Sequence, residues 1–466
     1  MNYHYHLAVD IGASGGRHIL GRLENGIIKT EEIFRFDNKP EIKNGILCWD
    51  IDKLLQNIIY GIKKCKTLGK IPATLGIDTW AVDFILLDKN DKILGEAVSY
   101  RDLRTLGMDK AAEKIIPYAE LYQRTGIQKQ IFNTIYQLLA VKQKQPELMG
   151  EAACLLMLPD YFNFRLTGVK KQEYTNATST GLVNAAGFSW DFPVIEKLGL
   201  PAGLFGPLSS PGTRVGKLSA DIAREAGFNC TVVLPCTHDT GSAYLAVPAE
   251  GHKTVYLSSG TWSLIGIETE GPLINQKSRE ANFTNEGGYD FRFRFLKNIM
   301  GLWIIQMIKR ELHNAVSYND LTRMAMNARN YTALIDINSP DFFSPPSMID
   351  AVKKACIKGG NRAPENAGEI LQCVYASLAV CYADVIREIQ DITGEQYDRI
   401  HIVGGGCKDS YLNTLLAQAA GIPVFAGPVE GTAVGNLLAQ MIGAGEFSSI
   451  GMARNIVKNS FEIHRY

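Results

Sequence analysis

The chain has 466 residues, 46% of them apolar and 21% charged, a soluble globular composition. That length exceeds one ordinary hydrophobic core, so two domains of roughly 100–200 residues each are expected. Forty-eight Lys plus Arg balance 48 Asp plus Glu, which excludes a global attraction to nucleic acid or an anionic membrane while leaving room for a local basic patch.

The N-terminal MNYHYHLAVDIG enters a strand within a few residues and lacks a signal-peptide pattern. No apolar run approaches the roughly 18 residues of a membrane helix, so the reading is cytoplasmic. Residues 7–36 predict a three-stranded meander, with turns at Gly-Ala-Ser-Gly-Gly and Glu-Asn-Gly. A helix follows, capped by Asp50, with Leu54, Leu55, Ile58, Ile59 and Ile62 on one face and a stop at Gly69. TLGIDTWAVDFILLDKNDKIL reads as a strand pair turning at Asp88–Asp91. From Arg104 to Phe164 the chain reads as mostly helical, broken near Pro117 and Gly126. The Gly-, Pro- and Ser-rich residues 199–217 read as irregular surface near a domain edge, and SADIAREAGF as a helix.

The pattern then restarts. Residues 252–273 again give strand, small-residue turn, strand, and long helices follow at Pro364–Thr393, Asp409–Gly421 and Thr432–Gly443. Two halves opening with related hairpins suggest an ancient duplication. The nine cysteines form no CxxC pair, which argues against structural zinc and for free, mostly buried thiols, with a local Cys356–Cys373 bridge left open.

Three loops carry possible chemistry. Asp10-Ile11-Gly12-Ala13-Ser14-Gly15-Gly16-Arg17 is either a phosphate nest with an acid at the strand end or a hairpin turn that needs glycine. Ser258-Ser259-Gly260-Thr261 offers hydroxyls and a glycine for the same task. Val403-Gly404-Gly405-Gly406 ends a strand before a helix, where glycine serves either a flat ligand or close packing. Neither a P-loop nor a GxGxxG after a strand is present. In LPCTHDTGSA, His238 and Asp239 adjoin at a strand-to-helix turn. The residues allow a metal pair, an acid/base pair or a helix cap, and no third His or Cys at ligand spacing supports the metal.

Taken together, VDIGASGGR, GIDTWAVDFILLD with YRDLRT, HDTGSA, YLSSGTWSL, NEGG with LKNIMGLWIIQ, and HIVGGGC with AGPVEGTAVGN resemble the FGGY carbohydrate kinases over essentially the whole chain, and within them the rhamnulokinase branch. The resemblance implies two actin-like (ribonuclease H-like) α/β domains flanking a cleft, here 1–244 and 245–466. It implies ATP-dependent phosphorylation of L-rhamnulose at the 1-hydroxyl, in L-rhamnose catabolism, with magnesium. Ala13, Ser14, Gly15, Gly16 and Arg17 would wrap the ATP phosphates, with Asp10 near magnesium through water. Thr261 would bind phosphate, Gln306 the nucleotide, and Gly405 would back the adenosine. Ala81, His238, Asp239, Thr240 and Asn298 would hold the sugar, and Asp239 would be the catalytic base, its ionised form favoured by the helix start.

Asn298 and Gln306, eight apart, would lie two turns apart on one helix. Whether Trp80, Asp78 and Asp83 also face the sugar stays open. Gly15 and Ala81 depart from the usual Ser and Gly of the family. The expected partner is a small ketose, with neither nucleic acid nor membrane, in a monomer or homodimer. The alternatives are a kinase for another ketose such as L-fuculose, or a non-catalytic actin-like ATP- or sugar-binding module.

Overall fold

A computed structural model of the chain describes residues 4–249, 251, 253–313 and 316–466; Met1–Tyr3 and His252, which open two of the strand patterns above, lie outside them. Strands β1 (Tyr5–Gly12), β2 (Gly15–Glu24) and β3 (Ile27–Asp37) form the antiparallel meander. Helix α1 (Ile51–Thr67) starts where the Asp50 side chain accepts the Lys53 N–H, and it buries Leu54, Leu55, Ile58 and Ile62. Ile59 sits half-buried at the margin of that face.

Next come β4 (Pro72–Thr79), β5 (Phe84–Leu87) and β6 (Ile93–Leu94). The Asp88–Asp91 turn joins β5 to β6, but β4 runs in a different sheet. The chain leaves β4 through Val82 at φ +67°, a conformation that costs a β-branched residue energy. Helices then fill most of residues 108–167, with breaks at Pro117 and Gly126 as read. The exception is β7 (Cys154–Met157), which pairs with β5; a four-residue apolar run carries too little periodicity to be told from helix.

Later elements include α2 (Tyr174–Thr178), β8 (Arg214–Lys217), α3 (Ala220–Ala226), β9 (Thr231–Val233) and α4 (Asp239–Leu245). The second hairpin is β10 (Thr254–Ser259) and β11 (Ser263–Thr269), followed by β12 (Thr284–Gly287) and β13 (Phe293–Ile299). Helices α5 (Trp303–Glu311), α6 (Met348–Lys358) and α7 (Ala367–Thr393) lead to β14 (Arg399–Val403), α8 (Ser410–Ala420), β15 (Val424–Ala426), α9 (Gly431–Gly443) and β16 (His464–Arg465).

The two large sheets share one plan. In the first, of order β8-β9-β4-β1-β2-β3, β1 is antiparallel to β2 and parallel to β4, β4 is parallel to β9, and β9 is antiparallel to β8. In the second, of order β12-β13-β11-β10-β14-β15-β16, β10 is antiparallel to β11 and parallel to β14, β14 is parallel to β15, and β15 is antiparallel to β16. This recurrence of order and direction carries the duplication much further than the hairpin likeness alone. Central strands such as β1 are buried along nearly their whole length, as expected where both faces of a parallel pair are covered.

By packing, the chain forms two compact units. One gathers the residues up to Ala246 together with Glu268–Phe295 and Thr432–Ser460; the other comprises Val247–Ile267, Leu296–Gly431 and Phe461–Tyr466. Neither is a single uncut stretch, because the chain returns twice to the first unit. Helix α7 is the one described helix long and apolar enough to cross a bilayer, although the sequence reading expected no such run; 72% of its most apolar window is buried in the protein.

Candidate active site

In the first unit the β1–β2 register sets Asp10 opposite Arg17, and the β1–β4 register sets Asp10 beside Asp78. Arg17 donates from Nε to Asp10 Oδ2 at 2.8 Å, with Nη2 2.7 Å from the same oxygen. Asp78 is fully buried; its Oδ2 accepts from Asn436 Nδ2 at 2.5 Å, and its Oδ1 has no hydrogen-bond partner among the described residues. Burial, reinforced by the neighbouring Asp10 carboxylate and opposed by the Asn436 hydrogen bond, raises the Asp78 pKa well above the ordinary carboxylate value.

Ala13 and Ser14 form the turn of this hairpin, with Asn38 donating to Gly12 O at 3.0 Å. Two glycines behind the turn are demanded by packing. A Cβ on Gly16 would sit 2.2 Å from the Phe36 ring, and one on Gly15 would sit 2.9 Å from Phe36 O. The loss of the usual serine at Gly15 thus goes with a backbone that leaves no room for its Cβ.

The turn before α4 is held from below by a buried carboxylate. Glu173 accepts from Thr175 N at 2.8 Å, Thr175 Oγ1 at 2.6 Å, Asn176 N at 3.1 Å, Thr237 N at 3.2 Å and Thr237 Oγ1 at 2.6 Å. Thr79 N donates to Thr237 O at 2.9 Å, which ties the turn to the end of β4. His238, not Asp239, is the N-cap residue of α4, and its side chain makes no capping hydrogen bond. The cap reading of Asp239 is therefore replaced by a place in the first turn. There Asp239 Oδ1 accepts from Thr240 N at 2.6 Å and Thr240 Oγ1 at 3.2 Å. Among the described residues nothing donates to Oδ2.

The helix start does favour ionised Asp239 through the Thr240 N–H, as expected, but that effect is outweighed. Burial outweighs the attraction of His238, Asp10 adds repulsion, and the Asp239 pKa lies above its usual value. The carboxylate is nonetheless reachable: protein surrounds it on most sides, yet its side chain remains 30% exposed. Solvent at that open edge moderates the shift.

His238 is gripped by two residues that sequence reasoning missed. Its Nδ1 lies 3.1 Å from Arg294 Nη2 and 3.2 Å from Glu286 Oε2, and its Nε2 lies 3.5 Å from Asp239 Oδ1. Burial pushes the Glu286 pKa up, but the Arg294 guanidinium and His238 more than reverse this, and the carboxyl ends below its ordinary value. Glu286 stands in the NEGG segment; the signal that could have found the pair is an acid and a base on successive apolar strands, where each needs a partner.

Ala81 lies in the strained step between β4 and β5, where Asp83 N donates to Ala81 O at 2.9 Å. The open question about Trp80 and Asp83 resolves toward structure. Asp83 accepts from Trp49 Nε1 at 2.7 Å, Trp80 Nε1 at 2.9 Å, Tyr100 N at 3.2 Å and Gln137 Nε2 at 3.1 Å, so four donors occupy its carboxylate.

The second unit holds the other predicted residues. Thr261 Oγ1 approaches Gln306 Oε1 at 3.5 Å, and Trp303 N donates to Thr261 O at 3.1 Å, which joins the hairpin turn to the start of α5. Asn298 is on strand β13 and Gln306 on helix α5, so the expected single helix carrying both is wrong. The chain turns at Gly301, φ +58°, where a Cβ would lie 2.6 Å from Ser263 N. In the glycine run, a Cβ on Gly404 would meet Ser259 O at 2.9 Å and one on Gly406 would meet Ser259 Oγ at 2.1 Å, whereas Gly405 has nothing nearer than 4.0 Å. Packing thus explains the outer two glycines and leaves Gly405 open.

No three His, Cys, Asp or Glu side chains among the described residues are grouped to hold a metal directly. An unpartnered Asp78 Oδ1 beside Asp10 does fit a hydrated cation held through water.

Residues 5–246 match the N-terminal domain, and 255–444 the C-terminal domain, of the FGGY family of carbohydrate kinases. The chain is 48% identical to a rhamnulokinase of Halalkalibacterium halodurans, over 99% of this chain and 98% of that one. It is 46% identical to a rhamnulokinase of Oceanobacillus iheyensis, over 99% and 97%. Its fold resembles that of a ligand-bound xylulose kinase from Lactobacillus acidophilus, with a TM-score of 0.80 at 16% identity, covering 99% of this chain and 93% of that one.

Proposed function

This chain belongs to the FGGY family of carbohydrate kinases, and from that premise we infer that it transfers the γ-phosphoryl group of ATP to the 1-hydroxyl of L-rhamnulose, in rhamnose catabolism. Full-length relatives named rhamnulokinase, at 40–48% identity, support the substrate. The observation that carries the mechanism is Asp239: a carboxylate at an open edge, with Oδ1 pinned by Thr240 and Oδ2 left to accept a proton.

Asp239 accepts the proton of the attacking hydroxyl. Its raised pKa brings it closer to the working pH and makes it a more effective base than an ordinary aspartate. His238, Thr240, Ala81 and Asn298 are assigned to the sugar, and the Ala13–Arg17 turn, Thr261, Gln306 and Gly405 to the nucleotide. Backbone N–H groups of a small-residue turn such as Ala13–Arg17 are suited to stabilise charge that builds on the transferring group. Asp10 would hold a magnesium ion through water, which would supply charge neutralisation on the phosphates. We place the protein in the cytoplasm, where its small-molecule substrates are.

An ADP-release assay over a panel of ketoses tests the reading. L-rhamnulose is expected to give the highest kcat/KM. A higher value for L-fuculose moves the substrate assignment, and ATP turnover that yields no phosphorylated sugar overturns the kinase reading.

A further inference from the structure

His238 Nδ1 lies between two charged groups of opposite hydrogen-bonding character. Arg294 Nη2 stands 3.1 Å away in hydrogen-bond geometry, whereas Glu286 Oε2, at 3.2 Å, is an ion-pair contact that competes for a proton on the same nitrogen. A guanidinium only donates and keeps its proton. A ring nitrogen that accepts from it carries no hydrogen, so the imidazole proton must reside on the other nitrogen.

We infer that Arg294 is a positioning residue that locks His238 in the tautomer protonated on Nε2, so that residues 238–239 read a hydroxyl together with the oxygen on the adjacent carbon of the sugar. Arg294 is suited to this: it is 1% exposed, its Nε donates to Gly287 O at 3.0 Å, and its Nη1 lies 3.1 Å from Glu286 Oε2. Glu286 neutralises the buried guanidinium and holds it, and β12 and β13 supply the two residues from neighbouring strands.

With hydrogen on Nε2, 3.5 Å from Asp239 Oδ1, the dipeptide offers a donor beside an acceptor. A 2-ketose presents the complement on adjacent carbons. Its 1-hydroxyl gives a proton to Asp239, and its C2 oxygen, carbonyl or anomeric, accepts from Nε2–H. A buried donor left without that acceptor is costly, so the pair selects ketoses over compounds lacking the C2 oxygen. This substrate rule rests on the kinase reading above; the tautomer does not.

The tautomer is read on the wild-type protein labelled with 15N-histidine, the His238 signal being identified by its loss in His238→Gln. A bare Nδ1 and a protonated Nε2 at assay pH are expected. A proton on Nδ1, alone or in a doubly protonated ring, overturns the lock. Arg294→Met alone strands a buried carboxylate, so the functional arm uses Glu286→Gln/Arg294→Met, with Arg294→Lys as the conservative variant. The double variant is expected to raise the ketose KM at least about tenfold with the ATP KM unchanged, and to lose the preference for ketose over an analogue without the C2 oxygen; Arg294→Lys should recover part of both. An unchanged ketose KM in the folded double variant overturns the positioning role. Absence of ketose turnover in the wild type sinks the kinase reading and leaves the tautomer result standing.

Discussion

Asn436 donates to Asp78 Oδ2 at 2.5 Å from a position 358 residues away in the chain. The bond ends a buried series: Asn436 Oδ1 accepts from Gln440 Nε2 at 2.6 Å, Gln440 Oε1 from Thr74 Oγ1 at 2.6 Å, and Thr74 Oγ1 meets His6 Nδ1 at 2.7 Å. This series explains why α9 packs with the first unit. It also implies that Asn436→Leu, which removes the only described donor to a buried carboxylate, costs about 1–3 kcal/mol. Urea unfolding checks this, and Asp78→Asn in the same background should return part of the loss. Unchanged stability in Asn436→Leu would contradict the accounting.

Asp239→Asn keeps size and the Thr240 contacts but cannot accept a proton at Oδ2. The expected loss in kcat is about a hundredfold to ten-thousandfold, with ATP binding by calorimetry unchanged. Near-normal turnover removes Asp239 as the base.

Gly16→Ala drives a methyl into the Phe36 ring, which a Cβ there would approach to 2.2 Å. Overpacking of this kind costs about 1–3 kcal/mol. Phe36→Leu should relieve it, so the double variant is expected to be more stable than Gly16→Ala alone; simple additivity of the two losses would show that the ring is not what requires the glycine.

Acid stability pits buried groups against one another. Burial raises Asp83 to about 6, so its stabilising effect is complete below about pH 3.8 and is lost as pH rises through 6. Burial lowers His18 to about 4, so its effect is present above 6.5 and is lost as pH falls toward 4. His401 is lowered to about 4 in the same way, while burial also raises Asp78, Asp160, Glu173 and Asp239, which act in the same sense as Asp83. The individual contributions are therefore read from variants compared with the wild type between pH 6.5 and 4. As pH falls through that window, urea midpoints should shift upward relative to the wild type in His18→Phe and downward in Asp83→Asn. The same slope in both variants would refute these assignments.

All nine cysteines are free thiols, and only Cys154 and Cys381 are partly exposed. The bridge left open in the sequence is not formed: Cys356 and Cys373 sulfurs stand 3.6 Å apart. Mass spectrometry after alkylation of the native protein should find label at no more than those two positions. Label at Cys356 would show that its helix opens readily.

Much of this protein was legible before folding was considered. Local rules sufficed for the β1–β3 meander, for α1 with its Asp50 cap, and for the small-residue turns, because turn glycines, caps and helical spacing act within a few residues. The motif resemblance reached the family and the His238-Asp239 dipeptide for the same reason: both are contiguous in the chain. What local rules missed was long-range. Strand β7 exists because β5 pairs with it, and Asn298 left the expected helix because Gly301 must turn tightly against Ser263. The helix start favours ionised Asp239 as a local effect, but it is outweighed because burial and the nearness of Asp10 arise only when β1 and α4 pack together. Glu286 and Arg294 acquire meaning only beside His238, about fifty residues earlier in the chain. Residue identity and order settle which groups are able to do the chemistry; folding settles which are charged, which are held and which remain open, because desolvation and hydrogen-bond partnership are set by neighbours distant along the chain.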